Sequence, residues 1–122
     1  MTTVRLIQGD CLVILPTLAD NSIDSAVTDP PYNLTSIVKR FGKPDSSPAQ
    51  YGTDGAFGRL SKGFMGQVWD GSGIAFRPEL WAEVLRVLKP GAHLFAFGGT
   101  RTYHRMTCAI EDAGFEIRDC LL

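Results

Sequence analysis

Apolar residues along this chain fall into short blocks separated by glycine, proline and small polar residues, and the spacing inside the blocks switches between strand-like and helix-like. The opening VRLIQG (Val4 to Gly9) is an apolar run ending in glycine and predicts a strand. Asp10 then stands where an N-cap would start a brief helix carrying Leu12, Val13 and Leu15. SIDSAVT (Ser22 to Thr28) lies between Ala19–Asn21 and the double proline Pro30-Pro31, and predicts a buried strand whose C-terminal end carries Asp29. A helix is predicted from Pro78, with Trp81, Val84, Leu85 and Leu88 on one face and Lys89-Pro90-Gly91 closing it. Ala92 to Phe97 predicts a third strand that runs into Gly98-Gly99. Thr100 is placed to cap a helix bearing Tyr103, Met106 and Ile110, and Gly114 ends it. Phe115 to Leu122 predicts the start of a fourth strand.

Strands alternating with helices predict an α/β fold, a doubly wound, mostly parallel sheet with right-handed crossovers. Four strands are few for that class, and an apolar strand at the end of the sequence would leave an edge that invites pairing. The expectation is therefore an incomplete sheet, with more chain after Leu122 or a homodimer to cover the edge. Between the blocks, residues 34–73 have no helical period, hold eight of the 13 glycines, and set Lys39, Arg40, Lys43, Arg59 and Lys62 against Asp45, Asp54 and Asp70. Structureless stretches beyond about 12 to 15 residues are uncommon unless functional or disordered. This one adjoins Asp29, so a substrate-facing loop is expected.

At 122 residues and 44% hydrophobic content the chain is sized for one domain, 1–122, with a modest core. Cys11, Cys108 and Cys120 form no CxxC pair and have no His-rich partner, so neither a zinc site nor a disulfide framework is expected; they read as reduced thiols. The N-terminus has no basic segment followed by a long apolar run, and no stretch approaches about 18 uninterrupted apolar residues, so the expected location is cytoplasmic. Twelve Lys and Arg against 13 Asp and Glu give a net charge of -1. DNA-binding modules are usually basic, so any contact with phosphates must be local or lie in sequence outside this chain.

The most informative tetrapeptide is Asp29-Pro30-Pro31-Tyr32, at the C-terminal end of a predicted strand, where open α/β sheets bind ligands. An exocyclic amine on a nucleobase is a poor nucleophile because its lone pair is delocalised into the ring. Two acceptors aimed at its N–H bonds would localise that lone pair. The Asp29 carboxylate offers one acceptor and the Pro30 carbonyl, held in an extended conformation by Pro31, the other. Tyr32 offers a face on which an extruded base can stack. Both acceptors gain strength as positive charge develops on nitrogen, so they favour the transition state. Asp-Pro-Pro is also an ordinary turn sequence; the strand before it and the aromatic after it weigh for the chemical reading.

With these residues in view, nearly the whole chain resembles the N-terminal portion of the N6-adenine/N4-cytosine DNA methyltransferase family, the permuted type found in restriction-modification systems and phage genomes. The matching pieces are IQGDC (Ile7 to Cys11), NSID (Asn21 to Asp24), TDPPYN (Thr28 to Asn33), GFMG (Gly63 to Gly66) with Trp69-Asp70, LKPG (Leu88 to Gly91) and FGGT (Phe97 to Thr100). The resemblance implies a Rossmann-like methyltransferase fold and S-adenosylmethionine as cofactor. It further implies DNA as substrate, a restriction endonuclease as partner system, and direct transfer without metal or covalent intermediate. It makes Asp29, Pro30, Pro31 and Tyr32 the catalytic motif, and Gly9, Asp10 and Cys11, with Asp29, the cofactor contacts. N6 of adenine is the first reading of the target and N4 of cytosine the second, since the motif serves both.

Motif order points the same way. Only 28 residues precede Asp29 and none contains Gly-x-Gly, whereas rRNA and protein-glutamine methyltransferases with a related motif carry their glycine loop upstream. In the permuted family a Phe-x-Gly-x-Gly loop lies near the C-terminus. This sequence lacks it, and FAFGGT (Phe95 to Thr100), with adjacent glycines, is assigned instead to the wall near the target base. DNA contacts are expected from Asn33, Lys39, Arg40, Arg59, Lys62, Trp69 and Arg101; solvated charges and a tucked aromatic are the plainer readings of the same residues. Asp10 is as readily a plain N-cap. A carbon-5 cytosine methyltransferase is disfavoured because Asp10, Thr107 and Asp119, not proline, precede the three cysteines. The rivals are an inactive truncated fragment of such an enzyme and, more weakly, an RNA or nucleoside amino-methyltransferase.

Overall fold

The computed structural model describes residues 2–34 and 72–122. Asp10 caps helix α1 (Cys11–Ile14), its Oδ1 accepting from the Leu12 N–H at 2.8 Å, and a 3-10 turn follows at Leu15–Thr17. Strand β1 (Ile23–Thr28) comes next. After a 3-10 turn at Ile74–Phe76, helix α2 (Pro78–Val87) opens on proline, whose missing N–H costs nothing in a first turn. Strand β2 (Leu88–Ala96) leads to helix α3 (Tyr103–Asp112). That helix ends in a Schellman arrangement: Gly114, at φ 113°, donates to the Glu111 carbonyl at 2.9 Å and Phe115 to the Ile110 carbonyl at 3.3 Å.

β1 and β2 pair in parallel, Ala26 opposite Leu94, Val27 opposite Phe95 and Thr28 opposite Ala96. The ladder shifts between Ile23 and Ser25, whose partners are Leu88 and His93, so Lys89-Pro90-Gly91 bulges out of it. Proline cannot donate to a ladder and Gly91 sits at φ 81°, so the same tripeptide that was expected to close a helix bends a strand. Leu94 and Ala96 pack on the core of Ala75, Leu80, Trp81, Met106, Ala109 and Ile110. Trp81 is 1% exposed and donates its Nε1–H to the Ala75 carbonyl at 2.8 Å, so its indole is both buried and satisfied. Arg86 on α2 donates to the Leu18 and Leu15 carbonyls at 2.9 and 2.8 Å and pairs with Glu83 and Asp20, tying α1 and its turn to α2. The Asp20 carboxylate, and then Glu83, hold its guanidinium more firmly protonated than usual.

Several expectations are corrected. Of four expected strands, two form among the described residues, giving a small parallel sheet with helices, compatible with an α/β fold. Val4–Gly9 and Phe115–Leu122 are not strands, and Val4, Leu6, Leu121 and Leu122 stand exposed. Of the expected α2 face, Trp81 and Val84 pack inward and Leu88 is buried but already in β2, while Leu85 lies at the exposed edge and Leu80 and Val87 join the buried side. The residue capping α3 is Thr102, not Thr100. The described helices cover the Leu94 face of the sheet, while Val27 and Phe95 on the other face are 69% and 51% exposed.

Candidate functional site

Because β1 and β2 are parallel, the segments that follow them, Asp29–Asn33 and Phe97–Thr102, emerge at the same edge of the sheet. This is the edge at which open α/β folds bind ligands. One more ladder bond, from the Phe97 N–H to the Thr28 carbonyl at 2.9 Å, carries the pairing up to Asp29. Beyond it Asp29 is exposed, Pro30 buried, and Pro31 and Tyr32 half-buried. Asn33 is 8% exposed at φ 53°, a left-handed conformation that asparagine adopts more readily than most residues. Its burial suits shaping the turn rather than reaching a phosphate.

The Tyr32 hydroxyl donates to the Asp29 carboxylate. That hydrogen bond, helped by partial desolvation and by the carboxylate's charge, raises the phenol above its ordinary pKa of 10.0. The motif therefore closes on itself, with Asp29 and Tyr32 presented together. On the neighbouring segment, Gly99 lies under Tyr32: a Cβ there would meet the ring's Cδ2 and Cγ at 3.4 and 3.6 Å. Gly98 is closer still to α3, where a Cβ would come within 2.9 Å of Tyr103 Cβ and 3.1 Å of Met106 Cε. Gly98 thus lets the turn approach α3 closely, while Gly99 faces the Tyr32 ring at ordinary contact distance. Thr102 completes the junction, its Oγ1 donating to the Tyr32 carbonyl at 2.6 Å.

The other expected residues lie on other segments of the chain. Gly9 and Asp10 are exposed, and Asp10 has Oδ1 committed to its capping bond. A Cβ at Gly9 would press on Ile14 at 3.0 Å. Cys11 is half-buried against the helical core. Arg101 is exposed beside the site, while Arg105 places its guanidinium 4.7 Å over the Phe76 ring, away from it. Lys39, Arg40, Arg59, Lys62 and Trp69, the GFMG segment, and the 34–73 loop reading beyond Leu34 and before Ser72 lie outside the described residues. No described helix is long and apolar enough to cross a membrane. Sequence reading missed Thr102 and Arg86. The Gly98-Gly99 pair signalled a turn, but nothing in the sequence joins Thr102 to a residue 70 positions earlier.

Over 93% of its length the chain is 30% identical to the putative methylase YubD of Escherichia coli and 30% identical to the Type II methyltransferase M.HindIII of Haemophilus influenzae. The chain is similar to methyltransferases. It spans 39% and 40% of the length of those two relatives. No family model matches it, and no solved structure matches it at a significant level.

Proposed function

We propose that this chain carries the catalytic motif of an S-adenosylmethionine-dependent DNA methyltransferase that modifies an exocyclic amino group, N6 of adenine in the first instance. The observation that carries the reading is the placement of Asp29-Pro30-Pro31-Tyr32 at the C-terminal end of a parallel strand, with an exposed carboxylate and a half-buried ring braced by a second turn. Similarity to a Type II methyltransferase supports DNA as the substrate.

When bound, the cofactor supplies an electrophilic methyl sulfonium. The Gly9–Cys11 turn is the part of this chain that would hold its adenosine portion: the turn is open to solvent at Gly9 and Asp10, and Asp10 brings a carboxylate suited to ribose hydroxyls. At the base, the Asp29 carboxylate accepts one amino hydrogen of the extruded nucleotide and the Pro30 carbonyl the other. The lone pair localises on nitrogen, and the charge that develops there is met by acceptors already in place. Tyr32 stacks on the base, repaying part of the few kcal/mol spent in extrusion.

The test is transfer of a labelled methyl group to duplex DNA, with calorimetric titration of the folded chain by S-adenosylmethionine beside it. A hydrogen bond to a charged group is worth about 1.5–3 kcal/mol, so Asp29→Ala should lower the transfer rate at least roughly tenfold and leave the fold unchanged. Transfer by Asp29→Ala at the wild-type rate would overturn the assignment. Label appearing only in RNA or free nucleosides would move the substrate class.

A further inference from the structure

Thr102 occupies the N-cap of α3, the position where a threonine side chain ordinarily accepts from its own helix's N–H groups. Here it makes no such bond. Its backbone, at φ -131° and ψ -9°, departs from the extended conformation that aims a capping oxygen at the first turn. Its Oγ1–H goes instead to the Tyr32 carbonyl at 2.6 Å, in a half-buried contact between segments 70 residues apart. The base from which it reaches is rigid, since the Gly99 carbonyl accepts from the N–H groups of both Thr102 and Tyr103 at 3.1 and 2.9 Å. The same turn lays Gly99 against the Tyr32 ring. Tyr32 is therefore held at its carbonyl by Thr102, with Gly99 of the same turn facing its ring.

We infer that Thr102 is a positioning residue for the Asp29-Pro30-Pro31-Tyr32 turn, giving up its capping role so that its hydroxyl fixes the Tyr32 backbone and, through it, the ring that meets the base. The catalytic consequence rests on the methyltransferase reading above; the structural one does not. A purely local role for Thr102 would stabilise α3 and leave Tyr32 untouched, whereas the positioning role makes the hydroxyl, not the side-chain bulk, the operative group.

The experiment compares Thr102→Val, which keeps the shape and removes the donor, with Thr102→Ser, which keeps the donor. Both are made in the full chain labelled with carbon-13 in its tyrosine rings. The Tyr32 cross-peak, assigned by its loss in Tyr32→Phe, is expected to shift or broaden in Thr102→Val and to return to the wild-type position in Thr102→Ser. Methyl transfer should follow it, with kcat falling roughly three- to tenfold in Thr102→Val, KM for S-adenosylmethionine unchanged, and recovery in Thr102→Ser. A Tyr32 signal identical to wild type in a folded Thr102→Val chain would overturn the inference, as would Thr102→Ser behaving like Thr102→Val. Should Thr102→Val lose cooperative melting, Thr102→Ala takes its place with the same expectations. If the wild-type chain transfers no methyl group to any DNA, it does not act alone as a methyltransferase, and the Tyr32 signal still decides the role of Thr102.

Discussion

The pairing of Tyr32 with Asp29 has a measurable consequence. A phenol that donates to a carboxylate loses both the hydrogen bond and favourable electrostatics when it ionises, so its proton is held more tightly than in an isolated tyrosine. In the chain, Tyr32 should titrate above the ordinary value of 10.0, seen as phenolate absorbance appearing later than for a free tyrosine. The sign for stability follows: the folded value is raised, so the contribution is fully present below the ordinary tyrosine range and is lost as pH climbs through the folded value. Asp29→Ala removes the acceptor and its charge together, and the Tyr32 titration should fall back toward the ordinary range. An unchanged titration in Asp29→Ala would show that the two side chains are not joined in solution. The residue pair that makes the motif recognisable in sequence is thus also the pair that reports on its geometry.

At the scale of elements, what could be read from the sequence divides by the range of the interactions that decide it. β1 and α3 were legible as elements because their signals are local: β-branched residues running into Pro30-Pro31 for the strand, which is half-exposed rather than buried as expected, and Met106 and Ile110 four apart with Gly114 at the end for the helix. The start of α2 was legible from Pro78. Most of its face was legible as well, since Trp81, Val84 and Leu88 of the expected stripe pack inward; Leu85 lies at the edge instead and Leu80 and Val87 are buried, because packing against β2 and α3 decides where the face is centred. The strand readings of Val4–Gly9 and Phe115–Leu122 failed for a similar reason, since a strand exists only where a partner supplies its ladder. At the site, the position of Asp29–Tyr32 directly after β1 was legible from the strand pattern and the double proline, whereas Thr102 depends on a contact no local pattern encodes. The choice of helix face can be checked directly. Leu80, 6% exposed, should cost about 2–5 kcal/mol on replacement by alanine, and Leu85, 37% exposed, about 1 kcal/mol or less. Urea unfolding of the two variants at constant m-value measures the difference; the reverse order would put Leu85, not Leu80, on the packed side of α2.

At the scale of the whole molecule, the sheet face that no described helix covers is the feature with the largest physical consequence. Val27 and Phe95 are register partners on it, with Phe97 just beyond at 60% exposure, so these side chains form a neighbouring group rather than scattered surface residues. Soluble monomers seldom leave contiguous apolar surface of this kind open without a use for it. A doubly wound fold has helices on both faces of its sheet, and the described helices supply one layer. The relatives are more than twice as long as this chain, which leaves room in them for a second layer. The folded 122-residue chain should therefore bind an apolar-surface dye in its native state, before any thermal transition. Replacing Val27 and Phe95 together by threonine, which keeps a β-branched side chain suited to a strand, should reduce that native dye signal severalfold while far-ultraviolet dichroism and cooperative melting persist. A native signal that does not respond to the double substitution would place the apolar surface elsewhere, on Val4 and Leu6 or on Leu121 and Leu122. A chain that binds no dye at all would mean that this face is covered in solution. The threonine variant separates those cases because it changes the sheet face alone and leaves the Asp29–Tyr32 turn and the helical core as they are.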